Sequence, residues 1–281
     1  MKHSHKRSDP NLHERNSGPL RQKKSLGQVF LHDEWPVRRV VEIVQDWKAT
    51  AVIEIGPGGA ILTNALSKAG IAITAIEKDD RFAERLISAA IPGVEIVNQD
   101  VLEFDLGAWI DGAIAAGKRP AVVGNIPYNI SSPIILWVLP HLHRLAGATF
   151  LVQLEFAERL AAVPHTKDYG SLSVYTQLRA KVRLDCEVGR EFFTPIPKVD
   201  SAIVVMEPPL KSLDPEVLKK IETITRVAFH QRRKQLRNAV KPFLVGREEA
   251  NCPIDLSRRP EMLTLDEFAA LAKFLTEPTT T

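Results

Sequence analysis

The tetrapeptide Asn125-Ile126-Pro127-Tyr128 gathers residue types that can do chemistry on a flat ring. It follows the apolar run Ala121-Val122-Val123, which reads as a buried strand. The tetrapeptide therefore falls at a strand's C-terminal end, where open α/β sheets hold their ligands. An amide oxygen, a proline carbonyl and an aromatic face converge there. That set suits a planar, amine-bearing ring such as adenine. Each residue also has a plainer reading. Asn125 can satisfy its own turn, and Tyr128 can be a core aromatic with a satisfied hydroxyl.

Further candidates stand at the ends of neighbouring apolar runs. Glu54-Ile55-Gly56-Pro57-Gly58-Gly59-Ala60 closes one run and opens a helix, and its glycines allow a tight turn and close approach to a ligand. No Gly-Lys-Ser/Thr follows, so triphosphate binding loses support. Glu77 ends a second run, where an acid can accept hydrogen bonds from ribose hydroxyls. Asp100 ends a third, where its carboxylate can meet an adenine amino group. Together the strand ends describe a pocket for an adenosine-containing ligand. A dehydrogenase stays open on these acids and glycines alone. The tetrapeptide tips the choice towards methyl transfer to an exocyclic amine.

Such residues need a frame that brings strand ends together. Ala51–Ile55, 71–76, 94–97, 121–123 and 148–154 read as strands. Helices are expected over 60–69, 79–90 and 131–139, with another carrying Glu155, Glu158 and Arg159. This alternation predicts an α/β, Rossmann-like fold with a mostly parallel, doubly wound sheet. Residues 186–193 and 202–206 are β-like and flank the turn-rich Thr194-Pro195-Ile196-Pro197-Lys198, which predicts an antiparallel hairpin at one sheet edge. Glu207-Pro208-Pro209 breaks the chain, and everything beyond reads as helical. Thr264-Leu265-Asp266-Glu267 is a capping-box start for a last helix that buries Phe268, Leu271 and Leu275. The expected organisation is a disordered basic arm over 1–24, a catalytic domain over 25–208 and a small helical domain over 211–281.

Of 281 residues, 44% are hydrophobic and 25% charged, a balance that suits a globular core. No apolar run reaches membrane-spanning length, and the basic N-terminus lacks the apolar stretch of a secretory signal. Cys186 and Cys252 form no zinc or disulfide pattern. The expectation is a cytoplasmic monomer with no membrane partner and no metal. The net charge of +3 conceals an asymmetry: +5 over residues 1–24, +6 over 226–241 and −8 elsewhere. Two basic patches on an acidic body point to a polyanion partner, although each alone reads equally as a solvated tail or helix face. Arg233 and Arg237 lie four apart and are expected to share a helix face, with Phe229, Leu236 and Val240 packing inward on the same helix.

With these residues in view, the chain resembles the ribosomal RNA adenine N6-dimethyltransferases, a family of S-adenosylmethionine-dependent enzymes. The matching pieces are Ser25-Leu26-Gly27-Gln28-Val29-Phe30-Leu31, residues 54–63, Asp100-Val101-Leu102, residues 124–133, residues 169–174, residues 193–201 and Phe229-His230-Gln231-Arg232-Arg233-Lys234. They run in order through most of the chain. The likeness is strongest to the bacterial branch that dimethylates two adjacent adenosines near the 3′ end of small-subunit (16S) ribosomal RNA.

The resemblance implies a class I methyltransferase with S-adenosyl-L-methionine as cofactor. Glu54, Gly56, Gly58, Glu77, Asp100, Val101 and Asn125 match cofactor-binding positions, Glu77 holding the ribose and Asp100 the adenine. The run Gln28-Val29-Phe30-Leu31 closes over the cofactor from the N-terminal side, with Gln28, Val29 and Leu31 as its cofactor-binding positions. Asn125 and Pro127 accept hydrogen bonds from the target N6 amine, Tyr128 stacks on the target base and Phe193 covers its other face. Phe193 can equally cap the sheet edge. Arg232, Arg233, Lys234 and Arg237 contact RNA, and the implied partner is small-subunit ribosomal RNA in a pre-30S particle. Two positions depart from the family pattern. Val29 replaces the usual Asn, leaving only a backbone contact there, and Ala60 replaces a frequent third glycine with small expected effect on cofactor fit. The alternatives are the large-subunit adenine methyltransferase relative, a ribosome-assembly binding factor with secondary or lost catalysis, and, more weakly, a DNA adenine methyltransferase.

Overall fold

The computed structural model describes residues 29–209 and 212–277. The predicted arm over 1–24 and Gln28 lie outside the described residues. Among the described residues the strands are β1 (Phe30–Leu31), β2 (Ala51–Ile55), β3 (Ala72–Glu77), β4 (Val94–Asn98), β5 (Pro120–Asn125), β6 (Ala148–Gln153), β7 (Lys181–Val188), β8 (Phe193–Thr194) and β9 (Ser201–Glu207). Seven of them form one sheet in the order β4-β3-β2-β5-β6-β9-β7, and β1 pairs with β8 apart from it. β2 to β6 are parallel, and β9 runs antiparallel to both β6 and β7. Strand order reverses between β2 and β5, so their C-terminal ends open onto the crevice where such sheets bind ligands.

The central strands are apolar on both faces because helices cover both. Ile53 and Ile55 of β2 and Val122 of β5 join one core with Leu106 and Ile110 of α4 (Leu106–Ala115) and Ile134, Ile135 and Val138 of α5 (Ser131–Val138). The alternate residues Val52, Ala121 and Val123 face the other core with Val37, Val40 and Val44 of α1 (Glu34–Asp46) and Leu62 and Leu66 of α2 (Ile61–Lys68). This is the period-two alternation of a strand, read on both sides. Of these helices, α2 and α5 are among those expected from sequence and α1 and α4 are not; α3 (Asp80–Ala89), α6 (Leu154–Ala161) and α7 (Ser171–Gln177) are the others before Glu207 among the described residues.

The edge hairpin is present, with a different boundary. β7 stops at Val188, and Gly189 leads into a single 3₁₀ turn, Arg190–Phe192. That turn breaks the expected strand over 186–193 and redirects Phe193 into pairing with Leu31. β7 also begins earlier than expected, at Lys181.

Past Glu207 the α-helices among the described residues are α8 (Pro215–His230), α9 (Leu236–Val240) and α10 (Leu265–Thr276). The capping box forms, with Glu267 N–H donating to Thr264 Oγ1 and Thr264 N–H to Glu267 Oε2, and Phe268, Leu271 and Leu275 are buried. The core of this unit also takes in Ala162, Tyr169 and Val174 from before β7. Tyr169 is fully buried and donates its hydroxyl to the Leu263 carbonyl at 3.0 Å.

The basic segment is two helices, not one. α8 ends at His230, and the backbone N–H groups of Leu236 and Arg237 go to the Arg258 and Leu256 carbonyls at 2.8 and 2.9 Å. Those tertiary bonds take donors that a continuous helix needs for its own ladder. Arg233 and Arg237 therefore do not share a helix face. Phe229, Leu236 and Val240 still pack into one core, from two helices.

Ala60 leads into α2 with φ +64°, a left-handed conformation that penalises any Cβ. Its departure from glycine thus bears on the backbone. Ala60→Gly is expected to stabilise the chain by about 1 kcal/mol and raise Tm by roughly 2–4 °C. Thermal melts of the two proteins check this.

Candidate functional site

A cavity of about 280 Å³ opens at the C-terminal ends of β2, β3 and β5. Every predicted cofactor position among the described residues lines it. Val29 and Leu31 come from the N-terminal side, Glu54, Gly56 and Gly58 from the first loop, and Glu77, Asp100, Val101 and Asn125 from the later strand ends. Pro127 joins them.

The parts are tied to one another. Glu77 is buried and accepts Gly58 N–H at 3.2 Å on one oxygen and Asp79 N–H at 2.9 Å on the other. Burial pushes its carboxyl up, against the backbone donors. Gly58 is where Phe30 leans on the loop: a Cβ there would stand 2.8 Å from Phe30 Cε1. At Gly124 a Cβ would stand 2.8 Å from the Ile55 carbonyl oxygen, so only glycine lets β5 lie against β2 just before Asn125.

Asn125 is held through its nitrogen. Nδ2 donates to the Val29 carbonyl at 3.2 Å, so Val29 meets the site through its backbone. Asn125 Oδ1 is buried without a partner among the described residues. A buried acceptor left unmet is costly unless a ligand supplies the donor. The Pro127 carbonyl is differently placed. It already accepts from Ser131 Oγ and Ile130 N–H, each at 3.1 Å, which uses both lone pairs. The neighbouring Ile126, whose N–H goes to the Leu151 carbonyl at 3.3 Å, also lines the cavity.

Glu54 is 2% exposed, and its Oε2 has no partner among the described residues. Burial pushes its carboxyl up to about 7, with the charge of Glu77 adding to the rise and Thr63 opposing it. Asp100 is the contrary case. Lys78 Nζ sits 2.6 Å from its Oδ2 and Leu102 N–H 3.0 Å from Oδ1, and chiefly the Lys78 bond draws its pKa down. Lys78 was not singled out from sequence, although it adjoins Glu77, which was. These acids and unmet acceptors fit a nucleoside cofactor carrying an ammonium and ribose hydroxyls.

Two predicted residues are not brought to the cavity. Tyr128 is half-buried and its hydroxyl bonds Ser201 Oγ at 2.8 Å. Phe193 is fully buried in the core that holds Ile203 and Val205, because the pairing of β1 with β8 sets Leu31 opposite it. Phe193 therefore does not face a base in this conformation, and the plainer packing reading describes it.

The predicted RNA contacts divide. Arg232 Nε bonds Glu261 at 2.9 Å and its Nη1 donates to the Lys167 carbonyl at 2.9 Å. Arg237 Nε bonds Glu249 at 2.6 Å. Arg233 and Lys234 are exposed, and no acid among the described residues pairs with them. No cluster of metal-ligating side chains occurs among the described residues, and no helix there is long and apolar enough to cross a membrane.

Residues 20–277 match the family model described as ribosomal RNA adenine dimethylase. The chain is 38% identical over 263 residues to ribosomal RNA small subunit methyltransferase A of Pseudomonas aeruginosa, covering 92% of this chain and 96% of that protein. It is 39% identical over 253 residues to the protein of the same name from Leptothrix cholodnii, covering 89% and 90%. Among solved structures, the 23S rRNA methyltransferase ErmE superposes with a TM-score of 0.65 at 26% identity, covering 88% of this chain and all of that one. A dimethyladenosine transferase from Plasmodium falciparum shares the fold with a TM-score of 0.66 at 24% identity, covering 86% and 95%.

Glu54 sets a pH dependence. Its folded-state pKa lies above the ordinary carboxylate value of 4.5, so folding favours the protonated form. That contribution is fully present below about pH 4.5 and is lost as pH rises through about 7. Glu54→Gln should therefore match the wild type at low pH and gain over it as pH climbs from 5 to 8. Cofactor-free thermal melts across that range check it; a constant gap would contradict the assignment.

Proposed function

The chain belongs to the ribosomal RNA adenine dimethylase family, and on that premise we propose that it dimethylates N6 of two adjacent adenosines near the 3′ end of small-subunit (16S) ribosomal RNA, in ribosome biogenesis. It is an adenine dimethyltransferase, and its cofactor is S-adenosylmethionine. The observation that carries the chemistry is the buried, unmet Asn125 Oδ1 at the end of β5. The choice of small-subunit RNA is supported by relatives at 38% and 39% identity that are named for that substrate.

Adenine N6 is a poor nucleophile because its lone pair is delocalised into the ring. Asn125 Oδ1 accepts one N6 hydrogen and the Ile126 carbonyl the other. The Pro127 carbonyl, to which the family resemblance gives that role, is engaged by Ser131 and Ile130. Two acceptors out of the ring plane favour a tetrahedral nitrogen, an electrostatic device matched to the transition state. The bound cofactor supplies an activated methyl group on a sulfonium. Val29 fixes the Asn125 amide, so little reorganisation is left for the reactive complex. Glu77 and Asp100 receive the ribose and adenine of the cofactor on lone pairs left by their present partners, and Glu54 faces its ammonium. Tyr128 offers its ring to the target base, which has to leave its stack to arrive. Phe193 can cover the other face only if β1 moves off it. Arg233 and Lys234 track phosphates without reading bases. We further propose a cytoplasmic monomer acting on a pre-30S particle.

The test is methyl transfer from labelled S-adenosylmethionine to unmethylated small subunits, large subunits, naked RNA and DNA, with mapping of the modified base. Transfer to adjacent adenosines of the small subunit is expected. Transfer to large-subunit RNA or DNA alone overturns the proposal, and subunit binding without transfer to any substrate favours an assembly factor. Asn125→Ala should nearly abolish transfer while leaving RNA binding intact. Arg233→Gln should lower the slope of log affinity against log salt by about one, and Arg237→Gln by less, because Glu249 already neutralises Arg237.

A further inference from the structure

Residues 195–200 connect β8 to β9 and carry Ile196, 67% exposed, and Val199, 44% exposed. A single exposed aliphatic side chain needs no explanation. Two within four residues, on a loop that starts Pro195-Ile196-Pro197, are a different matter. The prolines fix φ at two positions and so limit the loop's freedom. Its base is pinned as well. Arg190 N–H donates to Asp200 Oδ1 at 3.0 Å, Arg190 Nη1 to the Lys198 carbonyl at 3.4 Å, and Leu154 N–H to the Asp200 carbonyl at 3.0 Å. The result is a stiff prong whose apolar tip has no assigned purpose.

Its position gives one. The loop returns to the sheet at Ser201, which pairs with Gln153 at the C-terminal end of β6 and bonds the Tyr128 hydroxyl at 2.8 Å. β6 lies beside β5, with Leu151 opposite Asn125. The prong therefore rises from the end of the sheet that carries the Asn125-Ile126-Pro127-Tyr128 tetrapeptide. Exposed Lys198 stands between the two aliphatic residues, and exposed Arg190 lies at the base. A lysine at an apolar tip, with exposed Glu191 and Asp200 kept to the base beside Arg190, matches a nucleic-acid strand, with its phosphates outside and its bases stacked inside.

We infer that Ile196, backed by Val199, inserts into the RNA stack where the target adenosine leaves it, and so holds the base out for Tyr128. This rests on the proposed RNA adenine methylation. It adds a positioning residue that touches RNA but not the reacting atoms. A side chain that fills the vacated step offsets part of the stacking lost on extrusion, which a polar residue of similar size cannot do.

The test uses the full chain and small subunits reconstituted with a synthetic 3′ RNA segment. One segment has the natural nucleotide 5′ of the target pair, and the other has an abasic residue there, which already breaks the stack. Single-turnover methyl transfer is compared for wild type, Ile196→Ser and Ile196→Leu. Ile196→Ser should lose roughly tenfold or more on the natural segment and less than about twofold on the abasic one, with Ile196→Leu near wild type on both. Equal loss on both segments means a merely structural role and overturns the inference, as does no loss on either. If the wild type fails on both segments, the methyltransferase reading falls, and this inference with it.

Discussion

The site depends on how one side-chain amide is held. Asn125 can present its oxygen to a ligand only because its nitrogen is committed to the Val29 carbonyl. That bond in turn needs the N-terminal segment laid across the sheet end, which the short pairing of Phe30 and Leu31 with Thr194 and Phe193 provides. It also needs β5 to lie close against β2, which Gly124 permits by having no side chain 2.8 Å from the Ile55 carbonyl. Three segments far apart in sequence thus converge on the orientation of one amide. An orphaned acceptor in an apolar site is tolerable where a ligand completes it, and the proposed target amine is such a ligand.

The acids around it are not equivalent, and burial sets the difference. Glu54 is enclosed beside Thr63, and its pKa is pushed up to about 7. Glu77 is buried as well, but two backbone N–H groups offset part of the penalty and splice the glycine loop to the end of β3. Asp100 is paired with Lys78 and stays well ionised. One pocket thereby offers a carboxyl near its titration point, a carboxylate braced by backbone and a carboxylate braced by an ammonium. The proposed cofactor, with an ammonium, a ribose and an amine-bearing ring, offers a different group to each.

Where RNA has to be held, charge counting overstates what is available. Of four cations predicted on one helix, Arg232 and Arg237 answer to Glu261 and Glu249. Arg232, on the turn after α8, ties that turn to Glu261 and the Lys167 carbonyl, and Arg237 ties α9 to Glu249. Arg233 and Lys234, on the turn between helices, are the two that no acid among the described residues pairs with. The apolar exposure of the 195–200 loop at the sheet end is the opposite signal, a cost to the free chain that a nucleic-acid partner can relieve.

The strand rhythm, the acids at strand ends, the glycine loop and the tetrapeptide were legible in the sequence because each depends on local order: period-two burial, a turn that needs glycine, a polar residue just past an apolar run. The resemblance to a methyltransferase family rested on the same contiguous pieces. Local order could not say that Phe193 would be covered by Leu31, that the Pro127 carbonyl would be taken by Ser131 and Ile130, or that the basic segment would break after His230 when Leu256 and Arg258 claim its backbone donors. Each of those depends on a competitor from elsewhere in the chain or on a cap not visible in residue types. The sequence alone determined which groups could do chemistry and at which strand ends they stand. Tertiary structure decided which of them are still free to do it, because a hydrogen-bonding group or an aromatic face satisfied inside the fold is no longer available to a substrate.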